Sequence, residues 1–385
     1  MPLHLSKRSS SIVQSEIRNM SIECERVGGI NLSQGVCDTP IPPEVRRAAK
    51  EAVDTGPNTY TRYDGIPELR RALAMRLDRH NHLKVDPEGE VIVTAGSTGA
   101  FYCACMALLD PGDEVVLFEP FYGYHVNTLL AVDAVPTYVP MKAPDWTFSF
   151  DDLARAVTPR TRGIMVNTPG NPTGKVWSRD ELEQIADLAE RHDLFVLTDE
   201  VYEHLVYDGT EHVSPATLPR LRPRTITMGS LSKTFSITGW RIGYAVAEAR
   251  WARMIGFMND LVYVCAPAPL QLGVARGLEA VPERYYTELR DEYRVKRDLV
   301  CGALRDAGLT PFVPRGAYYV LADLARVAGA TSKERAMNLL SRTGVATVPG
   351  ESFFRAGRGE TITRFCFAKT MDDLNEACRR LRALA

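Results

Sequence analysis

Lys233 stands in a run of the chain that could carry covalent chemistry. Small hydroxyl residues surround it at Ser230, Ser232 and Thr234, and Arg241 follows after a glycine-containing loop. A lysine amine that attacks a carbonyl must be held in place and partly shielded from water, and a phosphate group needs hydroxyls and a guanidinium. A solitary lysine is usually a solvated surface residue. The residues around Lys233 instead favour Schiff-base chemistry with a phosphorylated carbonyl compound.

Two further segments place polar groups where a buried strand ends. Asp199 follows the apolar run 194–198, and the turn 168–174, which contains Asn171, follows the apolar run 163–167. Either segment alone could be structural, since buried aspartates often cap helices and proline and glycine dominate turns. In an open parallel sheet, however, ligands bind beyond the carboxyl ends of the strands. We therefore expect Asp199 and Asn171 to reach one binding site.

A third strand is predicted to end at Gly96, where Ser97 and Thr98 open a helix. Backbone N–H groups at a helix N-terminus, with two hydroxyls beside them, form an anion site. This glycine turn and Glu119 after the next strand also resemble a dinucleotide-binding unit. The segment lacks the G-x-G-x-x-G pattern, and such a site would give Lys233 no role, so we favour a simple phosphate site.

The elements that position these residues follow an α/β pattern. Between about residues 90 and 250, short apolar runs alternate with helical patterns, which predicts a mostly parallel sheet flanked by helices. After about residue 280, long charged helical patterns surround a few strands and predict a smaller α+β domain. We therefore expect an N-terminal arm with part of the small domain (1–45), a large cofactor-binding domain (46–282) and a small C-terminal domain (283–385). The predicted strands are 91–94, 114–118, 163–167, 194–198, 225–228 and 241–246.

Composition limits the possible functions. The 385 residues are 45% hydrophobic and 24% charged with a net charge of −2, which gives no electrostatic reason to expect a nucleic acid or an anionic membrane as partner. No apolar run approaches the roughly 18 residues of a membrane span. The eight cysteines form no C-x-x-C pair and the histidines show no metal-ligand spacing. These features predict reduced thiols, a cytoplasmic location and no metal.

The N-terminus is basic and rich in serine, which is also true of transit peptides. Glu16 and Glu23 follow soon after, and an apolar stretch is missing. The sequence favours an N-terminal arm that lies on a partner subunit.

Four motifs occur in one order along the chain: Asn171-Pro172-Thr173-Gly174, Asp199-Glu200-Val201-Tyr202, Ser230 to Lys233 with Arg241, and Arg364-Phe365-Cys366-Phe367. This ordered set resembles the class I/II aminotransferases, fold type I pyridoxal-phosphate enzymes related to aspartate, kynurenine and methionine aminotransferases. The resemblance implies pyridoxal 5′-phosphate as cofactor. It also implies transfer of an amino group from an L-amino acid to a 2-oxo acid, with 2-oxoglutarate expected, by a ping-pong Schiff-base mechanism.

The resemblance also implies roles for the residues around the cofactor ring. Lys233 would form the Schiff base and shuttle a proton, and Asp199 would keep the pyridine nitrogen protonated so that the ring accepts electrons. Tyr202 and Asn171 would hydrogen-bond the 3-oxygen of the ring. Tyr122 would stack on the ring, although Phe121 and Tyr124 are close rivals for that place.

Further roles concern the phosphate and the substrate. Ser97, Thr98, Ser230 and Arg241 would hold the phosphate, and the role of Ser232 is left open. Tyr60 resembles the tyrosine that reaches the phosphate of the neighbouring subunit, with Tyr63 as a competing choice, so a homodimer is implied.

At the substrate end, the resemblance makes Arg364 the clamp for the α-carboxylate, because a planar guanidinium suits a carboxylate better than lysine does. Gly35 would add a backbone contact to the same group. Thr98 stands where some bacterial aspartate aminotransferases carry a lysine, and His125 stands where many relatives carry a tyrosine. These differences favour a broad, aromatic or aliphatic donor, and strict use of aspartate stays open.

Two other functions fit parts of the pattern. A pyridoxal-phosphate lyase or synthase, such as a cysteine-conjugate β-lyase or an amino-acid cyclising enzyme, would use the same residues. A non-catalytic module fused to a DNA-binding domain would need an additional helix-turn-helix segment, for which the N-terminus has no room.

Overall fold

The computed structural model describes residues 3–12 and 14–384. The helices in these ranges, apart from short 3₁₀ turns, are α1 (Lys7–Ser11), α2 (Glu16–Arg26), α3 (Pro43–Thr55), α4 (Pro67–Asn81), α5 (Gly96–Leu108), α6 (Gly123–Ala131), α7 (Phe150–Ala156), α8 (Arg179–Arg191), α9 (Ala249–Tyr263), α10 (Ala268–Ala280), α11 (Arg284–Asp306), α12 (Ser332–Thr343) and α13 (Met371–Arg382). The strands are β1 (Ile30–Asn31), β2 (Val91–Ala95), β3 (Glu114–Glu119), β4 (Val135–Lys142), β5 (Thr147–Phe148), β6 (Thr161–Asn167), β7 (Phe195–Asp199), β8 (Thr225–Ser230), β9 (Ile242–Val246), β10 (Thr310–Phe312), β11 (Tyr319–Asp323), β12 (Val345–Ala346), β13 (Val348–Pro349) and β14 (Ile362–Cys366).

The largest sheet has eight strands in the order β2-β9-β8-β7-β6-β3-β4-β5. Strands β4, β3, β6, β7 and β8 pair in parallel, whereas β9 runs antiparallel to both β2 and β8. This confirms the α/β fold with a mostly parallel sheet. All six strands expected from the sequence are present, with ends that differ by at most two residues.

Both faces of this sheet are covered by helices, which explains its nearly continuous apolar strands. Ile164 and Val166 of β6 lie in the core on the side of α8, while Met165 between them lies in the core on the side of α5 and α9. Because successive side chains of a strand point to opposite faces, both sets must be apolar. Helix α8 begins with the expected capping box, in which Ser178 and Glu181 bond each other's backbone N–H groups.

Strand β4 was not expected from the sequence, because Pro136 and Pro140 interrupt it. Its one long neighbour is β3, and on its other side β5 pairs only with Met141 and Lys142. Residues 136 and 140 are an even number apart, so their missing N–H groups face the same side of the strand. The strand can tolerate both prolines because that side is largely an open edge.

A smaller sheet and a two-stranded pair complete the fold. The sheet has the order β10-β11-β14-β13 with antiparallel neighbours, and β1 pairs in parallel with β12. Helix α2 buries Met20 and Cys24 against Ala336, Leu340 and Ala346. The segment before residue 45 therefore packs on elements near the C-terminus. Within the described residues, no helix has both the length and the apolar character needed to cross a membrane.

Candidate active site

A cavity of about 680 Å³ lies where the strands of the large sheet end. Asp199 and Ser230 close β7 and β8, and Asn171 follows β6 in its turn. The cavity is lined by every site residue expected from the sequence except Tyr60, namely Gly35, Ser97, Thr98, Tyr122, Asn171, Asp199, Tyr202, Ser230, Lys233, Arg241 and Arg364. Residues from distant parts of the chain thus meet at one edge of the sheet, as the strand pattern predicts.

Asp199 presents a buried carboxylate that is only half engaged. Its Oδ2 lies 3.1 Å from Nε2 of His125, whereas its Oδ1 is buried without a hydrogen-bond partner. The ring of His125 is held edge-on by Phe101 and Tyr122, with centroids 5.0 and 5.2 Å away. A buried oxygen without a partner is costly, so Oδ1 is suited to a donor that a ligand brings.

Sequence reasoning missed this contact of His125. The residue was noted only as a departure from a family tyrosine. The available signal was that His125 lies in the first turn of a helix that directly follows Tyr122. This signal does not identify Asp199 as the partner, because Asp199 is 74 residues away in the chain.

The Lys233 amine is held close to the backbone of the N-terminal segment. Its Nζ donates to the carbonyl oxygen of Gly35 at 3.2 Å and lies 5.7 Å from the ring centre of Tyr318. Burial lowers the pKa of Lys233 from its ordinary value of 10.5, because removal from water disfavours the charged amine. A larger fraction of the amine is therefore neutral and nucleophilic at physiological pH.

An anion site lies at the start of α5. No side chain caps this helix, so its first N–H groups are open toward the cavity beside Ser97 and Thr98. Gly96 has φ +75°, and a Cβ there would lie 2.4 Å from Nη2 of Arg241. The glycine thus lets the guanidinium approach the helix start, where Nη2 donates to the Ala95 carbonyl at 3.2 Å.

Two serines lie at the same end of the cavity. The Ser230 hydroxyl bonds that of Ser232 at 2.8 Å, and the Ser232 backbone N–H donates back to Ser230 Oγ at 3.1 Å. Ser232 therefore fixes the orientation of Ser230.

Arg364 lines the same cavity and is fully buried. Its Nη1 donates to Oδ1 of Asn171 and its Nη2 to the carbonyl of Ser33, both at 2.8 Å. The guanidinium carbon lies 4.0 Å from the ring centre of Tyr319. These contacts fix the plane of the guanidinium, as two-pronged binding of a carboxylate requires.

Tyr319 is a second residue that sequence reasoning missed. Its hydroxyl lies 3.3 Å from that of Tyr202, and burial raises the pKa of Tyr319 to about 12. A Cβ on Gly35 would lie 1.8 Å from this hydroxyl, which explains a glycine there. The sequence gives no sign that Tyr319 belongs to the site, because its partner Tyr202 is 117 residues away in the chain.

The three aromatic candidates for ring stacking separate in the structure. Tyr122 and Tyr124 both line the cavity, with their rings stacked at 5.2 Å. Phe121 instead packs against Tyr138 and does not line it. Burial raises the pKa of the Tyr122 phenol, so this side chain stays neutral.

Tyr60 lies outside the cavity of its own chain. It is 83% exposed, whereas its rival Tyr63 is partly buried with its ring 5.5 Å from that of Phe257. The structure therefore does not bring Tyr60 to the other expected site residues within one chain.

These donor and acceptor groups fit pyridoxal phosphate. The start of α5 with Arg241 suits a phosphate, and the free Oδ1 of Asp199 suits a protonated ring nitrogen. The Lys233 amine lines the same cavity and suits an aldehyde.

Comparisons with known proteins agree with this geometry. A family model described as aminotransferase class I and II matches residues 27–381. A probable N-succinyldiaminopimelate aminotransferase from Mycobacterium tuberculosis is 37% identical over 378 residues, covering 95% of each chain. The rat (Rattus norvegicus) kynurenine–oxoglutarate transaminase 3 is 34% identical and covers 90% of this chain and 83% of its own.

A solved structure leads to the same family. The N-succinyldiaminopimelate aminotransferase from Mycobacterium tuberculosis superposes with a TM-score of 0.95 at 36% identity, over 99% of this chain and 100% of the other. These proteins are named as aminotransferases, so they support amino transfer and not the lyase alternative. The chain belongs to the class I and II aminotransferases and is a pyridoxal-phosphate-dependent enzyme.

Proposed function

We propose that this cavity transfers the amino group of L-amino acids to 2-oxoglutarate, with the residue roles given below. The main support is one arrangement: the amine of Lys233, the unpartnered Oδ1 of Asp199 and the anion site at α5 line a single cavity. The acceptor is supported by the relative named as an oxoglutarate transaminase. The donor preference expected from the sequence, broad and aromatic or aliphatic, stays a prediction.

Lys233 and Asp199 do the proton chemistry in this proposal. When bound, pyridoxal phosphate supplies an electron sink for the charge left when the substrate Cα–H bond breaks. Lys233 would hold the cofactor at its aldehyde group through its Nζ, with loss of water, and once the substrate amine had displaced it, the free amine would carry the proton released from Cα. Its lowered pKa supports both roles, since a neutral amine is needed at each stage.

Asp199 holds a proton on the ring nitrogen through Oδ1. His125 fixes the carboxylate by engaging Oδ2 at 3.1 Å, and Oδ1 stays without a hydrogen-bond partner among the described residues. We therefore add His125 to the proposed site as a positioning residue.

The phosphate is held by Ser97 and Thr98 at the helix start, by Ser230 and by Arg241 in two-pronged fashion. Asn171 and Tyr202 hydrogen-bond the ring 3-oxygen. Burial raises the pKa of Tyr202 far above its ordinary value, so its hydroxyl keeps the proton that it donates.

Tyr122 covers one face of the ring. Its place on the cavity wall supports this role, although Tyr124 lines the same wall.

Arg364 and Gly35 bind the α-carboxylate of the substrate. The guanidinium is already oriented by Asn171, Ser33 and Tyr319, which reduces the entropy lost on binding.

We also propose a homodimer in which Tyr60 reaches the phosphate of the partner subunit. Tyr60 is free and exposed, and beside its segment lies an apolar strip, formed by Phe257, Leu261, Val262, Tyr263 and Val264, with Leu261 77% exposed. The ring contact between Tyr63 and Phe257 connects the segment of Tyr60 to this strip. Contiguous exposed apolar surface of this kind marks association sites.

The location and the domain division remain proposals. The described cysteines are all free and most are buried, which suits a reducing cytoplasm. The pairing of β1 with β12 supports assignment of residues 1–45 partly to the small domain, with boundaries near residues 45 and 282.

The central test is covalent mapping. Borohydride reduction of the purified protein with pyridoxal phosphate, followed by peptide mass spectrometry, should place the reduced adduct on Lys233. Lys233→Ala should remove the adduct and lower activity by at least about 10³-fold, because nucleophile and proton carrier are lost together. The exposed Lys50→Ala on α3 is the matched control and should keep both. An adduct that survives in Lys233→Ala would contradict the assignment.

A second measurement tests the reaction itself. The cofactor-loaded protein is mixed with each of the twenty amino acids, and conversion to the pyridoxamine form is followed by absorbance. Release of ammonia and a 2-oxo acid without an added acceptor would instead point to elimination.

A further inference from the structure

Asn31 closes strand β1, and its side chain organises the turn that follows. Its Oδ1 accepts three hydrogen bonds, from the Ser33 N–H at 2.9 Å, the Ser33 hydroxyl at 2.6 Å and the Gln34 N–H at 3.2 Å. An asparagine oxygen that accepts from backbone N–H groups two and three residues ahead fixes a local turn. The backbone of Asn31 is itself held by its pairing with Ala346 of β12. One side chain on a fixed strand therefore sets the course of the chain after β1.

The other end of the Asn31 amide is also bonded. Its Nδ2 donates to Oγ of Ser21 on α2 at 3.0 Å, and the Ser21 hydroxyl donates to the Ile17 carbonyl at 2.9 Å. A reversed amide would turn its own N–H groups toward the N–H donors of the turn, so only one orientation satisfies all partners. The amide is thus locked between the turn and a helix that lines the cavity at Ile17 and Ser21.

Two carbonyl groups of this segment contact residues that carry the proposed chemistry. The Ser33 carbonyl accepts from Nη2 of Arg364 at 2.8 Å, and the Gly35 carbonyl accepts from Nζ of Lys233 at 3.2 Å. Because the Asn31 oxygen holds both the N–H and the hydroxyl of Ser33, it determines where the Ser33 carbonyl points. Asn31 is therefore linked to Arg364 through one residue.

Arg364 depends on this carbonyl for its orientation. Among the described residues, its buried guanidinium donates to two acceptors, the Ser33 carbonyl and Oδ1 of Asn171, and its Nε has no partner. A guanidinium held by one acceptor can rotate about that hydrogen bond, whereas two acceptors fix its plane. Two-pronged binding of a carboxylate requires a fixed plane.

We propose that Asn31 is a positioning residue for the α-carboxylate of the substrate and acts through Ser33 and Arg364; this inference rests on the proposed function. Asn31 is not among the described residues that line the cavity, so it acts from behind the binding surface. It holds the carboxylate clamp in its binding geometry before the substrate arrives, which lowers the orientational cost of binding. The effect is therefore confined to ligands that carry a carboxylate.

The test separates carboxylate binding from the rest of the site. Aminooxyacetate carries a carboxylate and hydroxylamine does not, and both condense with the aldehyde of bound pyridoxal phosphate with loss of water. Asn31→Ala should lower the second-order rate constant for aminooxyacetate at least about tenfold, the value of one hydrogen bond to a charged group. The rate constant for hydroxylamine, which has no group for Arg364, should change less than about twofold. Stopped-flow absorbance of the cofactor measures both.

Two further variants separate positioning from a general loss of structure. Asn31→Asp keeps the oxygen that accepts from the turn and should retain most of the rate constant for aminooxyacetate. Ser21→Ala removes only the acceptor of Asn31 Nδ2 and should slow aminooxyacetate by about threefold, the value of one neutral hydrogen bond. The Kd for pyridoxal phosphate, from fluorescence titration of the cofactor-free protein, should stay the same in all three variants.

Asn19→Ala is the matched control, because Asn19 lies on α2, donates to Glu16 at 3.1 Å and is not among the described residues that line the cavity. It should leave both rate constants unchanged. Equal slowing of the two compounds in Asn31→Ala, slowing of neither, or a matching loss of cofactor affinity would overturn the role of Asn31 while the aminotransferase assignment stands. A wild-type protein that reacts with neither compound would overturn the proposed function and this inference with it.

Discussion

The acidic residues at the end of β7 and directly after it belong to two different regions of the molecule, the cavity and the interior. Asp199 faces the cavity with one oxygen unpartnered, whereas Glu200 and Glu203 point into the interior and both their oxygens are engaged. Glu200 accepts from Thr198, His212 and Ser214 at 2.8, 2.9 and 3.0 Å.

Glu203 pairs with Arg76 and accepts from Asn81 at 2.6 Å. Its pKa falls to about 2, because the Arg76 guanidinium favours the charged carboxylate and outweighs burial. Among these three carboxylates, an oxygen without a partner, rather than burial or charge, distinguishes Asp199 from Glu200 and Glu203.

Glu200, Glu203 and His212 also lie close enough to hold a cation, with ligand atoms within 4.8 Å of one another. The carboxylate oxygens already have partners from the chain, so an ion bound there would have to displace these hydrogen bonds.

The largest expected effect comes from breaking the interior pair. Glu203→Gln leaves the buried Arg76 charge uncompensated and should lower the free energy of unfolding by about 3–5 kcal/mol. Glu283→Gln is the control, because Glu283 pairs with Arg79 of the same helix α4 at the surface and should cost less than about 1 kcal/mol. Urea denaturation measures both, and the activity per folded molecule should be unchanged. Equal costs for the two variants would contradict a special role for the interior pair.

The same pair predicts a pH dependence. The folded-state pKa of Glu203 is about 2, below its ordinary value of 4.5, so the unfolded chain binds more protons between these values. Its stabilisation is fully present above pH 4.5 and is lost as the pH falls through about 2. The difference in the free energy of unfolding between wild type and Glu203→Gln should therefore narrow in urea titrations as the pH falls from 4.5 towards 3. A constant gap would mean that the carboxylate charge is not involved.

The next largest effect lies on the cavity side. Asp199→Asn keeps the shape but removes the charge that would face the ring nitrogen, and should lower kcat by about 10²–10³-fold. Because Oδ1 has no hydrogen-bond partner among the described residues, the free energy of unfolding should change little. Stopped-flow half-reactions and urea denaturation measure the two quantities. A large loss in the free energy of unfolding together with a normal kcat would contradict the role of Asp199 in the site, since Asp199 would then behave like the interior residue Glu203.

The smallest effect tests the two neighbouring tyrosines. Tyr60→Phe should weaken cofactor binding up to about tenfold, the value of one hydrogen bond, because its hydroxyl is free in one chain and is proposed to reach the partner's phosphate. Tyr63→Phe is the control and should leave the Kd for pyridoxal phosphate unchanged. Fluorescence titration of the cofactor-free protein measures both, and sedimentation checks the dimer. If Tyr63→Phe had the larger effect, the assignment of the two residues would be exchanged.

The sequence by itself determined six of the eight strands of the large sheet and the polar residues at their ends. Asp199, Asn171 and Ser230 follow apolar runs whose alternation with helices implies a parallel sheet, and such a sheet gathers its carboxyl ends at one edge. These three line one cavity for that reason, whereas Arg364 and Gly35 reach it from the smaller sheet and from the segment after β1. Strand β4 was missed, because proline argues against a strand unless the open edge beside it is known.

Only the tertiary structure decided which polar groups find partners. His125 meets Asp199 across 74 residues, and Tyr319 meets Tyr202 across 117. Local propensity acts over one or two turns, whereas these contacts depend on how separate elements pack. Asp199 and Glu200 are adjacent acidic residues in the sequence. The fold alone gives both carboxylate oxygens of Glu200 hydrogen-bond partners and leaves Oδ1 of Asp199 without one among the described residues.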